Sequence, residues 1–408
     1  MRVEKLAPEL IGLSHSLHME PEVAFEEYRS AEKIISIAQE AGFRIERGIA
    51  GMDTAFEASF GDGELVIALL AEYDALPMLG HACGHNVSGA ISVGAALALA
   101  VVADQLGLTV RLLGSPAEED GGGKVYMVQA GMFDDVAAAM MVHAGNEDTV
   151  GMATHALGAW NITYSGVPSH AAAAPWLGRN ALDAMTLAHT AIGLLRQQLP
   201  PGSLVHGIIT DGGQASNVIP SHVRAHYEIR ASDFPQLREL QARVRVCFEA
   251  GALATGTELT IEPRGLDYAE LVHDDFMTRS YAAAAQTLGR SVRDTGAERG
   301  GSTDMGNVSR IVPSIHPTIG YDTGGAGPHT EEFAAAGIGP DADRAIIDGA
   351  LALAFVGMDL ARDAGQRRLL LEGVRARKAA VPPTETPPMP NRAAQQVPYS
   401  RPTHYQTS

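Results

Sequence analysis

Residues of the kinds that bind metal ions occur in four short segments of this sequence. The first segment reads AEYDALPMLGHACGHNVSG and places Cys83 and His85 on either side of one glycine. A thiolate and an imidazole at this spacing can face one ion, and both are ligands suited to zinc. By itself the motif is equally typical of a buried thiol beside a loop histidine, so its interpretation depends on the other three segments.

The second segment, GSPAEEDGGGK, contains two adjacent carboxylates, Glu118 and Glu119. Neighbouring side chains in a loop can point apart, so one carboxylate can bind a metal ion while the other accepts a proton from an activated water. An isolated acidic pair is more often a solvated turn. The glycines before Lys124 do not indicate a phosphate-binding loop, because Val125 stands where Ser or Thr is required.

Two histidines complete the set. His143 follows the apolar segment AAAMMV, and His329 lies in the glycine-rich segment GYDTGGAGPHTEEF ahead of a predicted helix. A single histidine at a strand end, such as His143, is more often a structural residue, and a turn at the entry to a helix explains the glycines around His329 equally well. Together the four segments supply three imidazoles, one thiolate and two carboxylates, a set that suits a two-metal hydrolytic site.

The pattern of apolar residues predicts the elements that carry these segments. Short apolar runs typical of buried strands alternate with helical patterns, which favours a mainly parallel sheet covered by helices. The four segments follow predicted strands, at the sheet edge where α/β proteins bind ligands. In chain order we predict helical structure over 3–41, a strand over 65–70, a helix over 90–103, a strand over 108–113, a helix over 125–130 and a strand over 137–142.

From about residue 155 the order of elements changes. Predicted strands (159–165, 204–210, 223–230, 258–263) and helices (180–198, 234–254) follow one another as β-α-β-β-α-β, the order of a ferredoxin-like domain. We therefore predict an α/β catalytic domain formed by residues 1–154 and 267–377, interrupted by a smaller α+β lid domain over 155–266. The proline-rich segment 378–408 is predicted to be a disordered tail.

Composition and charge restrict the functions that the chain can have. Its 408 residues carry a formal net charge of −18, which repels phosphate backbones and anionic membranes and argues against nucleic-acid binding. No segment approaches the roughly 18 uninterrupted apolar residues of a membrane span. The chain has two cysteines, Cys83 and Cys247, and its first residues form no apolar signal core. A reducing, cytoplasmic location is therefore expected.

Several longer motifs follow one another between about residues 8 and 370: HxEPE, EYDALP, GHACGHN, PAEEDGGGK, GGQASNVIP, GSTDMGNVS and GPHTEE. In this order they resemble the aminoacylase/carboxypeptidase family of dinuclear metallopeptidases, in particular its amidohydrolase branch with aminobenzoyl-glutamate hydrolase subunits and β-alanyl-lysine-type dipeptidases. The resemblance implies a phosphorylase/hydrolase-like α/β fold of the zinc-peptidase type and a homodimer formed through the lid. It implies metal-dependent cleavage of an amide bond in a small N-acyl amino acid or dipeptide. The implied cofactors are two divalent ions, zinc first, with manganese or cobalt as alternatives.

The resemblance also implies roles for individual residues. The implied metal ligands are Cys83, His85, Glu119, His143 and His329. Glu118 is the implied general base, and Asp74 is implied to support the site from behind the ligands. His170 and Asn217 are implied to approach the substrate from the lid, His170 across a dimer. Arg230 is a weaker candidate for holding a substrate carboxylate, and an ordinary surface-strand residue is the alternative.

Two positions depart from the pattern of the family. Asn86 stands where many relatives have Asp, and because an amide supplies no charge, the metal affinity and the choice of metal are left open. Glu72 stands where more distant peptidases have a metal-binding histidine. Glu72 is therefore left open as a further ligand.

Two functions of other classes are alternatives. The first is a cysteine hydrolase that uses Cys83 as nucleophile and His85 or His81 as base. The second is a non-catalytic member of the same family that binds a metabolite or a partner chain through the same cleft. The presence of Glu118 beside Glu119 argues against the second alternative, because a binding site has no use for a base.

Overall fold

The structure is a computed structural model that describes residues 2–296 and 298–380. Its helices, numbered in chain order, are α1 (Arg2–Met19), α2 (Tyr28–Glu40), α3 (His85–Ala100), α4 (Ala103–Leu106), α5 (Gly123–Gln129), α6 (Ala181–Leu195), α7 (Phe234–Thr255), α8 (Asp275–Thr287), α9 (Met305–Ser309), α10 (Glu331–Ala336), α11 (Pro340–Arg362) and α12 (Ala364–Ala380). Its strands are β1 (Arg44–Arg47), β2 (Phe56–Phe60), β3 (Leu65–Glu72), β4 (Leu108–Ser115), β5 (Ala138–Met140), β6 (His143–Gly145), β7 (Thr149–Val150), β8 (Ala156–Ser165), β9 (Leu204–Asp211), β10 (His222–Ala231), β11 (Glu258–Pro263), β12 (Arg293–Asp294), β13 (Ser314–Ile315) and β14 (Thr318–Gly320). The predicted tail 378–408 lies outside the described residues from 381 onward, and its first three residues end α12.

A six-stranded sheet in the order β1-β2-β4-β3-β5-β13 lies at the centre of the α/β part of the chain. Strand β3 pairs in parallel with β4 and β5, and β13 pairs in parallel with β5. The predicted parallel sheet is therefore confirmed for its four neighbouring strands β4, β3, β5 and β13. The antiparallel strands β1 and β2 are absent from the prediction, because these partly exposed segments have no continuous apolar run.

Helices cover both faces of this sheet, and alternate residues of β3 belong to the two cores that result. All eight residues of β3 are buried. Ile67 and Leu69 belong to the core that α1, α3 and α11 form on one face, whereas Ala68 and Leu70 pack in a second core with residues of α5 and α9. Because successive side chains of a strand point to opposite faces, a strand covered on both faces is apolar throughout.

The predicted helical region over residues 3–41 is two helices rather than one. Helix α1 ends at Met19, and α2 begins at Tyr28. Pro21 lies in the connection, and Phe25 adopts a left-handed conformation with φ of 62°, which no α-helix accommodates. The turn between the two helices places Glu27 at the start of α2, beneath the loop that carries Glu118.

The segment between β8 and β11 forms a separate four-stranded antiparallel sheet in the order β11-β8-β10-β9. Its elements follow one another as β8-α6-β9-β10-α7-β11, which is the predicted β-α-β-β-α-β order. Helices α6 and α7 pack on the sheet and share one apolar core with β8 and β10. Strand β9 is an edge strand, and five of its eight residues in succession, His206 to Thr210, are exposed.

A third, small sheet has the order β12-β7-β14-β6 and begins beside the central sheet at His143. Its strands contain only two or three residues each, which is too short for a sequence pattern to indicate them. Strand β6 pairs in parallel with β14 and so follows directly on the β5 and β13 pair. Within the described residues, no helix has the length and apolar character needed to cross a membrane.

Candidate metal centre

The predicted metal ligands come together at the carboxyl ends of the central strands. Three groups of side chains each bring their nitrogen, sulfur or oxygen atoms within 4.8 Å of one another: Cys83, His85 and His143; Cys83, Glu119 and His329; His85, Glu118 and Glu119. Since ligand-to-zinc distances are about 2.0–2.3 Å, separations of this size are compatible with ions between the side chains. Two of the groups share Cys83.

Individual contacts within the cluster are close. The Sγ atom of Cys83 lies 3.5 Å from Nε2 of His143. A carboxylate oxygen of Glu119 lies 3.6 Å from Nε2 of His329, and one of Glu118 lies 3.8 Å from Nε2 of His85. Each predicted ligand thus reaches at least one other, although Glu119 and His329 lie more than 200 residues apart in the sequence.

The Cys-Gly-His motif depends on its glycine. Gly84 adopts a left-handed conformation with φ of 81° and stands immediately before α3, of which His85 is the first residue. A Cβ atom at this position would lie 2.4 Å from Cβ of Ala144. Glycine is therefore required both by the backbone conformation and by the close approach of β6. The turn directs Cys83 and His85 into one cluster.

Three buried side chains hold the backbone around Glu118. Glu27 accepts a hydrogen bond from the backbone N–H of Ala117 at 2.9 Å, and Asp74 accepts one from the N–H of Glu119 at 2.9 Å. The hydroxyl of Tyr268 donates to the carbonyl of Glu118 at 2.8 Å. Ala117 has φ of 59°, a conformation that costs a non-glycine residue roughly 1–2 kcal/mol. The three bonds stabilise this loop in that conformation.

The outward nitrogens of the histidines are free to bind a ligand because their other nitrogens are occupied. Nδ1 of His85 lies 3.0 Å from a carboxylate oxygen of Asp74, and Nδ1 of His143 lies 2.7 Å from the carbonyl of Ala144. This fixes both rings with Nε2 towards the cluster, an arrangement common behind metal-bound histidines. Asp74 therefore holds both His85 and the backbone of Glu119, which agrees with its predicted supporting position.

Burial shifts the ionisation of the cluster. It lowers the pKa of His143 to about 4, and it raises the pKa of the Cys83 thiol well above the usual value. Burial, followed by the charge of Glu72, also raises the pKa of Glu118 well above the usual carboxyl range. Burial alone would lower the pKa of His85, but the neighbouring acidic groups, Asp74 first among them, together outweigh burial and raise that pKa. A neutral His143 is ready to act as a ligand.

Buried polar atoms without a hydrogen-bond partner also suit the cluster to divalent cations. Nε2 of His85, Oε1 of Glu119 and Oε2 of Glu72 are buried and have no hydrogen-bond partner among the described residues. Unpaired buried polar atoms are rare in folded proteins and are costly unless a ligand or water satisfies them. Two of them, Nε2 of His85 and Oε2 of Glu72, lie 3.4 Å apart. A thiol, imidazoles and carboxylates together form a donor set that zinc binds well.

The predicted substrate-binding residues lie apart from this cluster. His170 and Asn217 are exposed on the lid, in two loops joined by the isolated bridge between His170 and Val218. Nδ1 of His170 accepts the backbone N–H groups of Ala172 and Ala173. Within the described part of the chain, neither side chain is hydrogen-bonded to the metal-ligand cluster. Their proximity to each other agrees with a shared role, which stays a prediction.

Arg230 and the two departures from the family pattern have specific partners. The Arg230 guanidinium donates to Glu228 at 2.8 Å and to Ser302 at 3.0 Å. The Asn86 side chain donates to the hydroxyl of Ser14 at 2.9 Å and faces away from the cluster. Oε1 of Glu72 accepts Lys124 at 2.6 Å, whereas its Oε2 lies 3.4 Å from Nε2 of His85.

Several buried residues at the site have no place in the sequence-based prediction. Glu27 and Tyr268 hold the Glu118 loop, Asp304 pairs with Lys124, and the motif around Lys124 bears only on phosphate binding. His316 is the fifth such residue. Its ring centroid lies 5.3 Å from that of His143, and neither of its buried nitrogens has a hydrogen-bond partner among the described residues. Lys124 and Asp304 occur in the quoted motifs PAEEDGGGK and GSTDMGNVS, which is the one signal that could have identified them.

The fold and the cluster together define a two-part α/β hydrolase in which an antiparallel lid interrupts a catalytic sheet. Residues 153–255 match the family model described as a peptidase dimerisation domain. Over 394 residues the chain is 37% identical to the Xaa-Arg dipeptidase of Mus musculus, covering 92% of this chain and 90% of that protein. It is 40% identical over 268 residues to one of the subunits of the p-aminobenzoyl-glutamate hydrolase of Escherichia coli, covering 60% and 55% of the two chains.

Solved structures show the same fold. An aminobenzoyl-glutamate utilization protein from Klebsiella pneumoniae superposes with a TM-score of 0.68 at 21% identity, covering 88% of this chain and 98% of that one. A dinuclear metal-binding peptidase of the M20 family from Bacillus subtilis gives 0.64 at 21% identity, covering 87% and 99%. The chain belongs to the M20 family of peptidases, and it is an amide-bond hydrolase of that family.

Proposed function

We propose that the chain is a metal-dependent amidohydrolase that cleaves a small dipeptide or N-acyl amino acid, with Glu118 as general base. The observation that carries the proposal is the position of the Glu118 carboxylate. It lies among His85 and Glu119 in a cluster of three imidazoles, a thiol and a second carboxylate. A buried carboxylate beside such a donor set has the position required of a base that activates water.

Cys83, His85, Glu119, His143 and His329 would hold two divalent ions. Cys83 would be shared between them, because it belongs to two of the three-residue groups. The presence of a thiolate and imidazoles favours zinc, with manganese or cobalt as alternatives. Such ions, when bound, would supply positive charge that polarises the scissile carbonyl and promotes the ionisation of the attacking water.

The residues of the chain would perform the proton transfers. Glu118 takes a proton from the water as that water attacks the carbonyl carbon, and then passes it to the nitrogen of the leaving amine. The buried surroundings that raise the pKa of Glu118 favour its protonated form between the two transfers. Asp74 keeps His85 and the Glu119 backbone in place. His170 would stabilise the developing negative charge from the lid.

The substrate class is proposed from the relatives. An Xaa-Arg dipeptidase and a p-aminobenzoyl-glutamate hydrolase both act on an amide bond beside an amino acid with a free carboxylate. His170 and Asn217 are proposed to contact such a substrate from the lid. Arg230 is a weaker candidate for binding the carboxylate, because Glu228 already pairs with its guanidinium. We propose residues 155–266 as the lid domain.

A homodimer through the lid is also proposed. The match to a dimerisation domain covers this region, and the edge strand β9 leaves its backbone and the side chains of Leu204, Ile208 and Ile209 exposed. Exposed apolar edge strands are uncommon in monomeric proteins because they promote strand pairing with other chains. The two cysteines are free and buried, which agrees with the proposed cytoplasmic location.

Hydrolysis of Xaa-Arg dipeptides, aminobenzoyl-glutamate and N-acetyl amino acids, measured with Zn²⁺, Mn²⁺ or Co²⁺ present, tests the proposal. We expect turnover of at least one substrate class, its loss on chelation, and its recovery when metal is returned. Intact activity with less than one equivalent of every metal would contradict the proposal. It would favour the cysteine hydrolase, although burial raises the pKa of Cys83 and makes a metal-free thiolate unfavourable.

A further inference from the structure

Lys124 is a fully buried cation next to the candidate metal centre. Its ammonium group donates to Oε1 of Glu72 at 2.6 Å and to Oδ1 of Asp304 at 2.6 Å. The other oxygen of Asp304 accepts the backbone N–H of the same lysine at 2.9 Å. A buried charge is tolerated only when it is paired in this way. The pairing is a tertiary contact, because Lys124 and Asp304 lie 180 residues apart in the sequence.

The surroundings of Lys124 resemble a cation site. Oxygen atoms of Glu72, Glu118 and Asp304 lie within 4.8 Å of one another, and all three residues are buried. Three carboxylates at this spacing are the kind of ligand set that binds hard divalent ions such as Mn²⁺. Oε2 of Glu72 is buried without a hydrogen-bond partner among the described residues. The ammonium group stands in for the cation that these oxygens would otherwise attract.

Glu118 belongs to this carboxylate group and also to the group formed with His85 and Glu119. A metal ion bound between Glu72, Glu118 and Asp304 would make the proposed base a ligand, and a ligated carboxylate is a poor proton acceptor. Asp304 holds Lys124 at two points, because its two carboxylate oxygens accept the backbone N–H and the ammonium group of the lysine. The ammonium group is thereby kept beside the three carboxylates.

We propose that Lys124 is a positioning residue: a fixed internal cation that excludes a third divalent ion from the carboxylates of Glu72, Glu118 and Asp304 and so keeps Glu118 available as a base. The inference rests on the proposed function. Lys124 is not one of the five predicted metal ligands. The inference assigns Oε1 of Glu72 to the lysine rather than to the metal ions.

The test is metal stoichiometry together with activity in Lys124→Met, which keeps much of the side-chain length and removes the charge. After equilibrium dialysis against Mn²⁺, we expect wild type to bind two ions per chain and the variant to bind three. We expect kcat of the variant to fall about 10²–10⁴-fold, the usual effect of losing a general base. Lys5→Met, at an exposed lysine of α1, should bind two ions and retain wild-type kcat.

A second variant keeps the inference testable if Lys124→Met does not fold. Lys124→Met combined with Asp304→Asn removes one positive and one negative charge. The buried cluster therefore keeps the formal charge of the wild type but has one carboxylate fewer. We expect it to bind two Mn²⁺ ions and to retain at least a tenth of wild-type kcat. A third ion in the double variant, or a kcat below that level with two ions bound, would overturn the inference.

The outcomes also separate the inference from the proposed function. If Lys124→Met binds two ions and turns over at the wild-type rate, the inference is wrong while the proposed function stands. If wild type itself binds no Mn²⁺, Zn²⁺ or Co²⁺ and hydrolyses no substrate, the proposed function fails, and the inference fails with it.

Discussion

At the scale of single residues, the buried carboxylates of the site differ in their contacts more than in their chemistry. Glu119 reaches His329 and shares a group with Cys83, whereas Glu118 faces His85 and the carboxylate of Glu72. Among the described residues, the Glu27 side chain is hydrogen-bonded to no predicted metal ligand and instead accepts the backbone N–H of Ala117. Substitution by glutamine, which preserves shape and removes charge, should therefore affect each of them differently.

Glu118→Gln and Glu119→Gln form the first paired prediction. Glu118→Gln removes the proton acceptor, so metal content should persist while kcat falls about 10²–10⁴-fold. Glu119→Gln removes a charged ligand, so metal occupancy should fall and added metal should restore part of the activity. Metal stoichiometry and kcat are measured for both variants under the same metal supply. If Glu118→Gln loses metal and Glu119→Gln keeps it, the two roles are reversed.

The second prediction concerns the pH dependence of stability. Burial, followed by the charge of Asp74, raises the pKa of Glu27 to about 8 from 4.5. Between these values the folded protein holds a proton that the unfolded chain has lost. The contribution of Glu27 to the free energy of unfolding is therefore complete below about pH 4.5 and declines as pH rises to 8. The decline is at most about 1.4 kcal/mol per pH unit.

Urea unfolding at pH 5, 6, 7 and 8 measures this contribution. Glu27→Gln cannot titrate, so its free energy of unfolding should fall less steeply with pH than that of wild type. Glu32→Gln, at an exposed carboxylate that pairs with Arg47, should keep the wild-type slope. Equal slopes for wild type and Glu27→Gln would show that the Glu27 carboxyl is ionised throughout this range.

At the scale of elements, α3 determines how closely the site approaches the sheet. The helix begins at His85 and is buried over almost its whole length between β3, α1 and α11. Its glycines allow this packing. A Cβ atom at Gly94 would lie 2.7 Å from Leu10 of α1, and one at Gly89 would lie 2.6 Å from the backbone carbonyl oxygen of Glu72.

The third prediction compares two glycines of the helices. Gly89→Ala should lower the free energy of unfolding by about 1–3 kcal/mol, because the added methyl group meets a backbone atom of β3 that cannot move independently. Gly12→Ala, in α1 with nothing within 4 Å, should raise it by about 0.5–1 kcal/mol through helix propensity. Denaturant midpoints of both variants check the signs. A stable Gly89→Ala protein would contradict the close packing of α3 on β3.

At the scale of the whole molecule, the lid sheet has an exposed edge strand, whereas the strands at the centre of the catalytic sheet are buried. The central sheet is covered on both faces, and β3 has no exposed residue. The lid sheet ends in β9, where Ile208 is 65% exposed and Leu204 is 47% exposed. We propose that a second copy of the chain covers this edge.

The fourth prediction follows from that edge. Sedimentation should show a particle near twice 42.9 kDa. Ile208→Lys should shift it towards the monomer, because a charge at the centre of an edge strand opposes strand pairing. Leu369→Lys, at a leucine of α12 that is 58% exposed, should leave the mass unchanged. A wild-type monomer at micromolar concentration would contradict both the dimer and the cross-subunit role of His170.

Much of this arrangement is determined by local features of the sequence. The continuous apolar run of β3 specifies a strand buried on two faces, and the lid elements alternate in a pattern that needs no tertiary information. Part of the donor set is likewise local, because Cys83, Gly84 and His85 are consecutive and Glu118 adjoins Glu119. The order of these motifs along the chain is sufficient to indicate the family and the fold.

Tertiary structure alone decided which charges meet in the interior. Lys124 pairs with an aspartate 180 residues away, and Glu27 holds a backbone N–H 90 residues away. The two-residue strands β7 and β12 depend in the same way on a partner distant in sequence, because Arg293 of β12 pairs with Thr149 of β7. The physical reason is that burial and electrostatic pairing arise from contacts distant in sequence, whereas apolar periodicity and motif spacing report only on near neighbours.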